Sequence, residues 1–240
     1  MQKLKGPMDT TAQISKTAEL IQFLSQFATE HKLALMEQVL SNRTRYITVV
    51  LEDLYQSQNA SAIVRTCECL GIQDVHVIEQ SAKYGTNKKV LKGSQYWVDI
   101  VKHKIKHRAE GVSETMDALR SEGYRVLVTS VDPGSTSIHE IDITQGKVAI
   151  VMGNELRGTS TEAVQHADGL VHIPMVGFTE SFNVSVSAAI CLSAMRNKLT
   201  ETDLNWQLSE IEKDDLRLKW LRVMVKKSDV LIREYLRGKN

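Results

Sequence analysis

Apolar positions change their spacing twice along the chain. In residues 1–44, Ile14, Ala18, Ile21 and Leu24 recur at helical intervals, as do Leu33, Met36, Val39 and Leu40, which predicts amphipathic helices. No proline follows Pro7 in this stretch, and Asp9 or Thr10 is placed to cap the first turn. From residue 46 to about 200 short apolar runs take over. YITVVLE (46–52), VHVIE (75–79), WVDIV (97–101), RVLVTSV (125–131), KVAIVMG (147–153) and LVHIP (170–174) are rich in Val and Ile and apolar on both faces, as buried parallel strands are. Between them, 59–70, 113–122, 159–167 and 183–197 read as helices, with Gly71 and Gly123 where helix-terminating glycines belong. Strands alternating with helices predict an α/β domain with a mostly parallel sheet. Residues 205–240 return to helix, with Ile211, Leu218, Leu221, Val225 and Ile232 on an apolar face and Arg217, Lys219, Arg222, Lys226, Lys227, Arg233, Arg237 and Lys239 making the segment basic. The expected organisation is a helical extension over 1–44, an α/β domain over 45–200 and a basic helical extension over 201–240.

Composition narrows the class. With 42% hydrophobic and 25% charged residues among 240, the chain is ordinary for a soluble globular protein, and disorder as the dominant state is excluded. No apolar run approaches the roughly 18 residues of a spanning helix, and the first residues lack the apolar core of a secretory signal. Cys67, Cys69 and Cys191 are too few and odd in number for a disulfide framework, which fits a reducing cytoplasm. The net charge of +1 means that any nucleic-acid footprint must be local. Metal chemistry is not expected: Cys67 and Cys69 lack a second pair at zinc spacing, and His103 and His107 lack the glutamate of a metalloprotease helix.

Three stretches carry candidate chemistry. In QSQNASAIVRTCECLG (56–71), Asn59 stands where a helix N-cap is expected. Ile63, Cys67 and Leu70 face the core, so Arg65 points away from it. Helical side chains lean toward the N-terminus, which lets the long Arg65 side chain reach back to the loop. Helix starts of this kind favour phosphate. In VAIVMGNELRGTS (148–160), Gly153 closes a strand and Asn154-Glu155 follow at its carboxyl end, where open α/β sheets bind ligands. The Lys and hydroxyl of a P-loop are missing after Gly158, which excludes a nucleoside triphosphatase of that type. In HIPMVGFTESFNVSVSAAICLSAM (172–195), an apolar loop leads through Ser181 and Asn183 into a helix of small residues, expected to be buried against another element. Such a loop suits a small ligand with a flat base and a polar end. Lys83, Lys88, Lys89 and Lys92 add a candidate phosphate-contact loop. Taken singly, the first stretch reads more readily as an ordinary helix cap with a surface arginine, and the second and third are equally readable as ordinary structure.

Together they resemble the SPOUT class of RNA 2′-O-ribose methyltransferases, in its SpoU or TrmH-like branch. The matching strings are Asn59-Ala60-Ser61-Ala62-Ile63-Val64-Arg65-Thr66, Val151-Met152-Gly153-Asn154-Glu155, and Ile173-Pro174-Met175 with Ser181-Phe182-Asn183-Val184-Ser185-Val186, in the family's order and separation. The resemblance implies a Rossmann-like α/β fold ending in a deep trefoil knot, S-adenosylmethionine bound in the knotted loops, and a homodimer with RNA across its interface. It implies Arg65 as the catalytic arginine, with Asn59 holding the ribose or ordering Arg65. Glu155 and Asn183 would fix the loops and the target nucleotide, and Ser181 would contact RNA or shape the knot. The backbone around Thr129, Gly153, Ile173, Met175 and Phe182 would hold the cofactor. No metal is called for, because the methyl donor is already activated. Free arginine is a poor base. Arg65 is therefore expected to bind the adjacent phosphate and polarise the hydroxyl, with the phosphate assisting proton transfer, although the arginine as base remains open.

Helical extensions around a single domain, the last one basic, resemble the enzymes that methylate guanosine 18 of tRNA. Gln56-Ser57-Gln58 stand where those enzymes often have Lys-Pro-His, and Thr179-Glu180 where Val-Gln is usual. Ribosomal RNA, or another tRNA position, remains an alternative target. An RNA-binding protein without methyl transfer is the alternative of another class.

Overall fold

The computed structural model describes residues 10–80, 83–104 and 111–239. In chain order the elements are α1 (Thr10–Ser25), α2 (Glu30–Leu40), β1 (Ile47–Glu52), α3 (Ser57–Cys69), β2 (Asp74–Glu79), α4 (Lys88–Leu91), β3 (Asp99–Lys104), α5 (Gly111–Ser121), β4 (Tyr124–Thr129), β5 (Thr136–Ser137), β6 (Lys147–Met152), α6 (Thr161–Gln165), β7 (Gly169–His172), α7 (Val184–Thr200), α8 (Glu210–Met224) and α9 (Ser228–Arg237). They form two compact units, one of residues 44–206 and one built from both ends of the chain, 1–43 with 207–240.

The larger unit is the expected α/β domain. Its seven strands run in the order β3-β2-β1-β6-β4-β7-β5, and every pairing is parallel. All six residues of β1 are buried, because helices cover both sheet faces. Val49, Leu51, Val75, Val77, Ile150 and Met152 pack with α3 and α7 on one face. Val50, Ile78, Val126, Val128 and Val151 pack with α5 on the other. Each such side chain contributes roughly 1.5–3 kcal/mol. The central neighbours β1 and β6 are in register, with Leu51 opposite Met152. The segments that leave their carboxyl ends therefore start side by side, at the point where the strand order reverses. At the far end of this unit, Thr44 Oγ1 donates to Trp206 O at 2.6 Å, and Arg196 lies 4.1 Å over the Trp206 ring.

In the smaller unit α1 packs on α8 and α9, and α2 packs on α8. Met36 and Leu40 are buried as expected, with Val39 and Leu33 partly so. The face of α1 differs from the expectation: Ile14 and Ala18 are exposed, and Thr17, Leu20 and Leu24 are buried. Phe23, stacked on Tyr235 at 4.1 Å, fixes this rotation. The helical tail is made of two helices, α8 and α9. Leu221 and Val225 are buried with Leu216 and Trp220, whereas Ile211 is exposed. A capping box between Ser209 and Glu212 starts α8. Arg43, fully buried, places its guanidinium 5.2 Å from the centre of the Trp220 ring. Asp9 lies outside the described residues.

Candidate active site

The three motifs meet at the carboxyl edge of the sheet. Glu155, two residues beyond Gly153, turns back toward the segment after β1. Its carboxylate accepts from Asn59 Nδ2 at 2.8 Å, Tyr55 N at 3.2 Å and Gln56 N at 3.4 Å. Asn183, from the third motif, donates through Nδ2 to Asn59 Oδ1 at 3.2 Å and accepts from Ser185 N at 2.9 Å as the N-cap of α7. One polar junction thus joins residues 96 and 124 positions apart.

This junction corrects the expected cap. Helix α3 begins at Ser57, with Gln56 at the cap position, and Asn59 lies buried inside the first turn. Glu155, arriving from the neighbouring strand's loop, accepts the Tyr55 and Gln56 N–H groups and draws in the Asn59 amide, so Asn59 does not cap. Arg65 is exposed, as its place opposite Ile63 and Cys67 implied, and makes no hydrogen bond or ion pair among the described residues. It borders an open groove of about 1000 Å³ between α3 and α7, walled by Ala62, Ser185, Val186, Ala189 and Ser193. The small residues of α7 were expected to be buried; Ala188 is, but Ser185, Ala189, Ser193 and Ala194 are only partly covered and line this groove.

The loop after β6 is closed on itself. Asn154 and Gly158 exchange backbone hydrogen bonds at 2.9 and 2.8 Å. Thr159 Oγ1 donates to Thr129 O at 3.2 Å, and Ser160 N donates to Glu52 Oε2 at 3.1 Å while Ser160 caps α6. Gly153 is required by this closure, because a Cβ there would lie 2.2 Å from Thr159 N. Glu52 was missed from the sequence. Burial pushes its carboxyl above the usual value, with the Glu162 and Asp53 carboxylates adding to the rise and the Ser160 hydrogen bonds opposing it.

The loop after β7 is the opposite. Residues 174–182 are exposed throughout and make no hydrogen bond among the described residues. Met175, Val176, Phe178 and Phe182 present apolar surface, Ser181 a free hydroxyl, and Ile173 remains partly buried against the core. Unpaired backbone donors and acceptors beside apolar side chains fit a ligand with a flat heterocycle and a polar edge. Of the expected cofactor residues, Ile173, Met175 and Phe182 belong to or adjoin this run, Gly153 lies close against the Gly158–Thr159 backbone, and the Thr129 carbonyl accepts from Thr159 Oγ1.

Among the described residues no group of three His, Cys, Asp or Glu side chains is placed to hold a metal ion, and no helix is long and apolar enough to cross a membrane. A model of the SpoU rRNA Methylase family matches residues 46–193. The chain belongs to the SpoU methylase family. Among similar SpoU relatives, the tRNA (guanosine(18)-2′-O)-methyltransferase of Borreliella burgdorferi is 44% identical over 203 residues, 85% of this chain and 90% of that protein. The enzyme of the same name from Thermus thermophilus is 34% identical over 71% of this chain and 85% of its own. The crystal structure of the A. aeolicus TrmH/SpoU tRNA modifying enzyme has a TM-score of 0.71 and 30% identity, covering 82% of this chain and 98% of that one.

Proposed function

We propose that this SpoU protein transfers the methyl group of S-adenosylmethionine to the ribose 2′-hydroxyl of guanosine 18 in tRNA. The observation that carries the reading is the junction of Asn59, Glu155 and Asn183, which brings the family's three motifs to one place. The names of its relatives support the target. When bound, S-adenosylmethionine supplies a methyl group already activated by a sulfonium. Ile173, Met175 and Phe182 would hold it, in the loop whose backbone and apolar groups are free for a ligand. Asn59, with both ends of its amide engaged, orders the junction. Glu155 anchors the α3 entrance, and Asn183 joins α7 to it. Ser181, free and exposed, contacts RNA. Arg65 is free to bind the phosphate next to the acceptor ribose. There it polarises the hydroxyl, so that the proton leaves toward that phosphate as the new O–C bond forms and the methyl–sulfur bond breaks, its electron pair leaving with the thioether S-adenosylhomocysteine. Positioning of this kind supplies up to about 7–11 kcal/mol in ideal cases.

Phosphate contacts are assigned to Lys83, Lys88, Lys89 and Lys92 in the α/β unit and to Lys226, Lys227 and Arg237 in the helical one, all exposed. Other basic residues of the tail are spent internally: Arg217 on Glu37 and Asp214, Arg222 on Asp229, and Lys239 on Glu19. The reading includes a cytoplasmic homodimer whose last strand and loops are threaded as a trefoil knot. The uncovered groove beside Arg65 and the 45% exposed Val186 support a second copy there. Cys67, Cys69 and Cys191 form no disulfide among the described residues, which supports a reducing compartment.

The test is methyl transfer from labelled S-adenosylmethionine to unmodified tRNA, against the same transcript carrying 2′-O-methylguanosine at position 18. Incorporation into the first and none into the second is expected. Equal incorporation moves the target to another position or to ribosomal RNA. None into any RNA overturns the reading.

A further inference from the structure

We propose that Tyr55 stacks on the nucleobase of the nucleotide being methylated and so positions its ribose. The inference rests on the reading above that the acceptor is an RNA ribose. The Tyr55 side chain is 73% exposed and has no partner among the described residues. The backbone that carries it is nevertheless held firmly. Asp53, at φ 51°, occupies the left-handed region that a residue with a Cβ enters only at a cost. Three hydrogen bonds fix it there: Asp53 N to Ile78 O at 3.0 Å, Gln80 N to Asp53 Oδ1 at 3.1 Å, and Asn154 Nδ2 to Asp53 O at 2.7 Å. Tyr55 N and Gln56 N are then taken by Glu155. Leu54, between Asp53 and Tyr55, is buried. Local strain maintained by the surrounding structure is characteristic of ligand sites, and here its result is a rigid turn that turns one aromatic ring out to solvent.

The place of that ring selects the occupant. The carboxylate that holds the Tyr55 backbone also holds Asn59, so the ring stands at the rim of the polar junction. Leu156, the residue after Glu155, is 84% exposed and adds apolar surface to the loop that carries the junction's carboxylate. A nucleotide drawn out of its stack to present its ribose loses base stacking, and an aromatic face replaces it. A tyrosine on a fixed backbone does so with little loss of freedom.

Tyr55→Ala is expected to lower kcat/KM for tRNA roughly 5- to 100-fold, the range of one base–aromatic stack. S-adenosylmethionine affinity by calorimetry and the melting temperature should stay unchanged. Tyr55→Phe and Tyr55→Trp should restore activity, whereas Tyr55→Leu, apolar without a π face, should not. A second readout does not depend on turnover. In Tyr55→Trp the added indole emission, taken as the difference from Tyr55→Phe, should be quenched when unmodified tRNA binds. Unquenched emission on bound tRNA overturns the stack even if methyl transfer is normal. Quenching without methyl transfer by the wild type overturns the functional reading and keeps the stack. Equal activity of Tyr55→Leu and Tyr55→Phe, or dissociation of a dimer by Tyr55→Ala in sedimentation, also overturns the proposal.

Discussion

Two loops leave the carboxyl edge of the sheet from the strands that flank β4, and they are built on contrary principles. The loop of residues 153–160 closes through a backbone pair, two side-chain bonds and a glycine that tolerates no Cβ. The run of residues 174–182 makes no hydrogen bond among the described residues, and its Gly177 has nothing within 4 Å of the place a Cβ would take. The first is organised before any ligand arrives, and its Glu155 extends that order to Asn59 and Asn183. The second is left open, as the proposed cofactor site requires. A methyl-transfer site needs both, because a fixed acceptor position must meet a donor that enters and leaves at every turnover.

Arg65 belongs with the open side of this contrast, being free and exposed, so its loss should cost rate and not stability. Arg65→Ala is expected to lower kcat by roughly 10²–10³-fold, the effect of removing one group that stabilises developing charge, with the melting temperature unchanged. A parallel fall in melting temperature would place Arg65 in the framework instead. The two glycines test the contrast directly. Gly153→Ala should destabilise by about 1–3 kcal/mol through overpacking, which lowers the melting temperature by about 2–4 °C per kcal/mol at this size. Gly177→Ala should stay within about 0.5 kcal/mol of the parent. Equal melting temperatures for the two variants would end the distinction.

Hydrogen exchange sharpens it further. Saturating S-adenosylmethionine should slow exchange over 174–182 by roughly tenfold, a gain of about 1.4 kcal/mol in protection, and leave 153–160 unchanged. The smallest effect concerns Glu52, whose burial raises its folded-state pKa above the usual 4.5. A raised acid contributes fully below its unfolded pKa, and that contribution falls away as pH rises through the folded value. Glu52→Gln keeps an acceptor for Ser160 N and carries no charge. Its stability relative to the parent, by denaturant titration, should therefore improve from pH 4 to pH 7, by up to about 1 kcal/mol. A flat difference across that range would assign the buried carboxyl no linkage.

Much of the α/β unit was legible because buried parallel strands are near-continuous apolar runs: β1, β2, β4 and β6 fall within a residue or two of the expected bounds. The two-residue β5 carries no periodic signal and is made by its pairing with β7. Asn59 was legible as part of a motif but its contacts were not, since the Glu155 that draws it from a capping role lies 96 positions away. Tyr55 and Glu52 went unread for a similar reason. An exposed aromatic and a buried acid at strand ends look ordinary until the neighbouring loop is in place. In α1 the helix was legible and its rotation was not, because Tyr235 sets it from the other end of the chain.

The helical unit also fixes an order of events during synthesis. Helices α1 and α2 are made before the α/β unit, yet α8 and α9, on which α1 packs, are made after it. At about 5–20 residues per second, residues 44–206 take on the order of ten seconds to emerge. Throughout that interval the apolar stripe of Leu20, Leu24, Met36 and Leu40 lacks the tail helices that complete its core. The nascent chain can fold its α/β unit first, with Thr44 ready to receive Trp206 just before the tail arrives. Helices α1 and α2, made before the α/β unit, thus complete their core only after it, when α8 and α9 emerge.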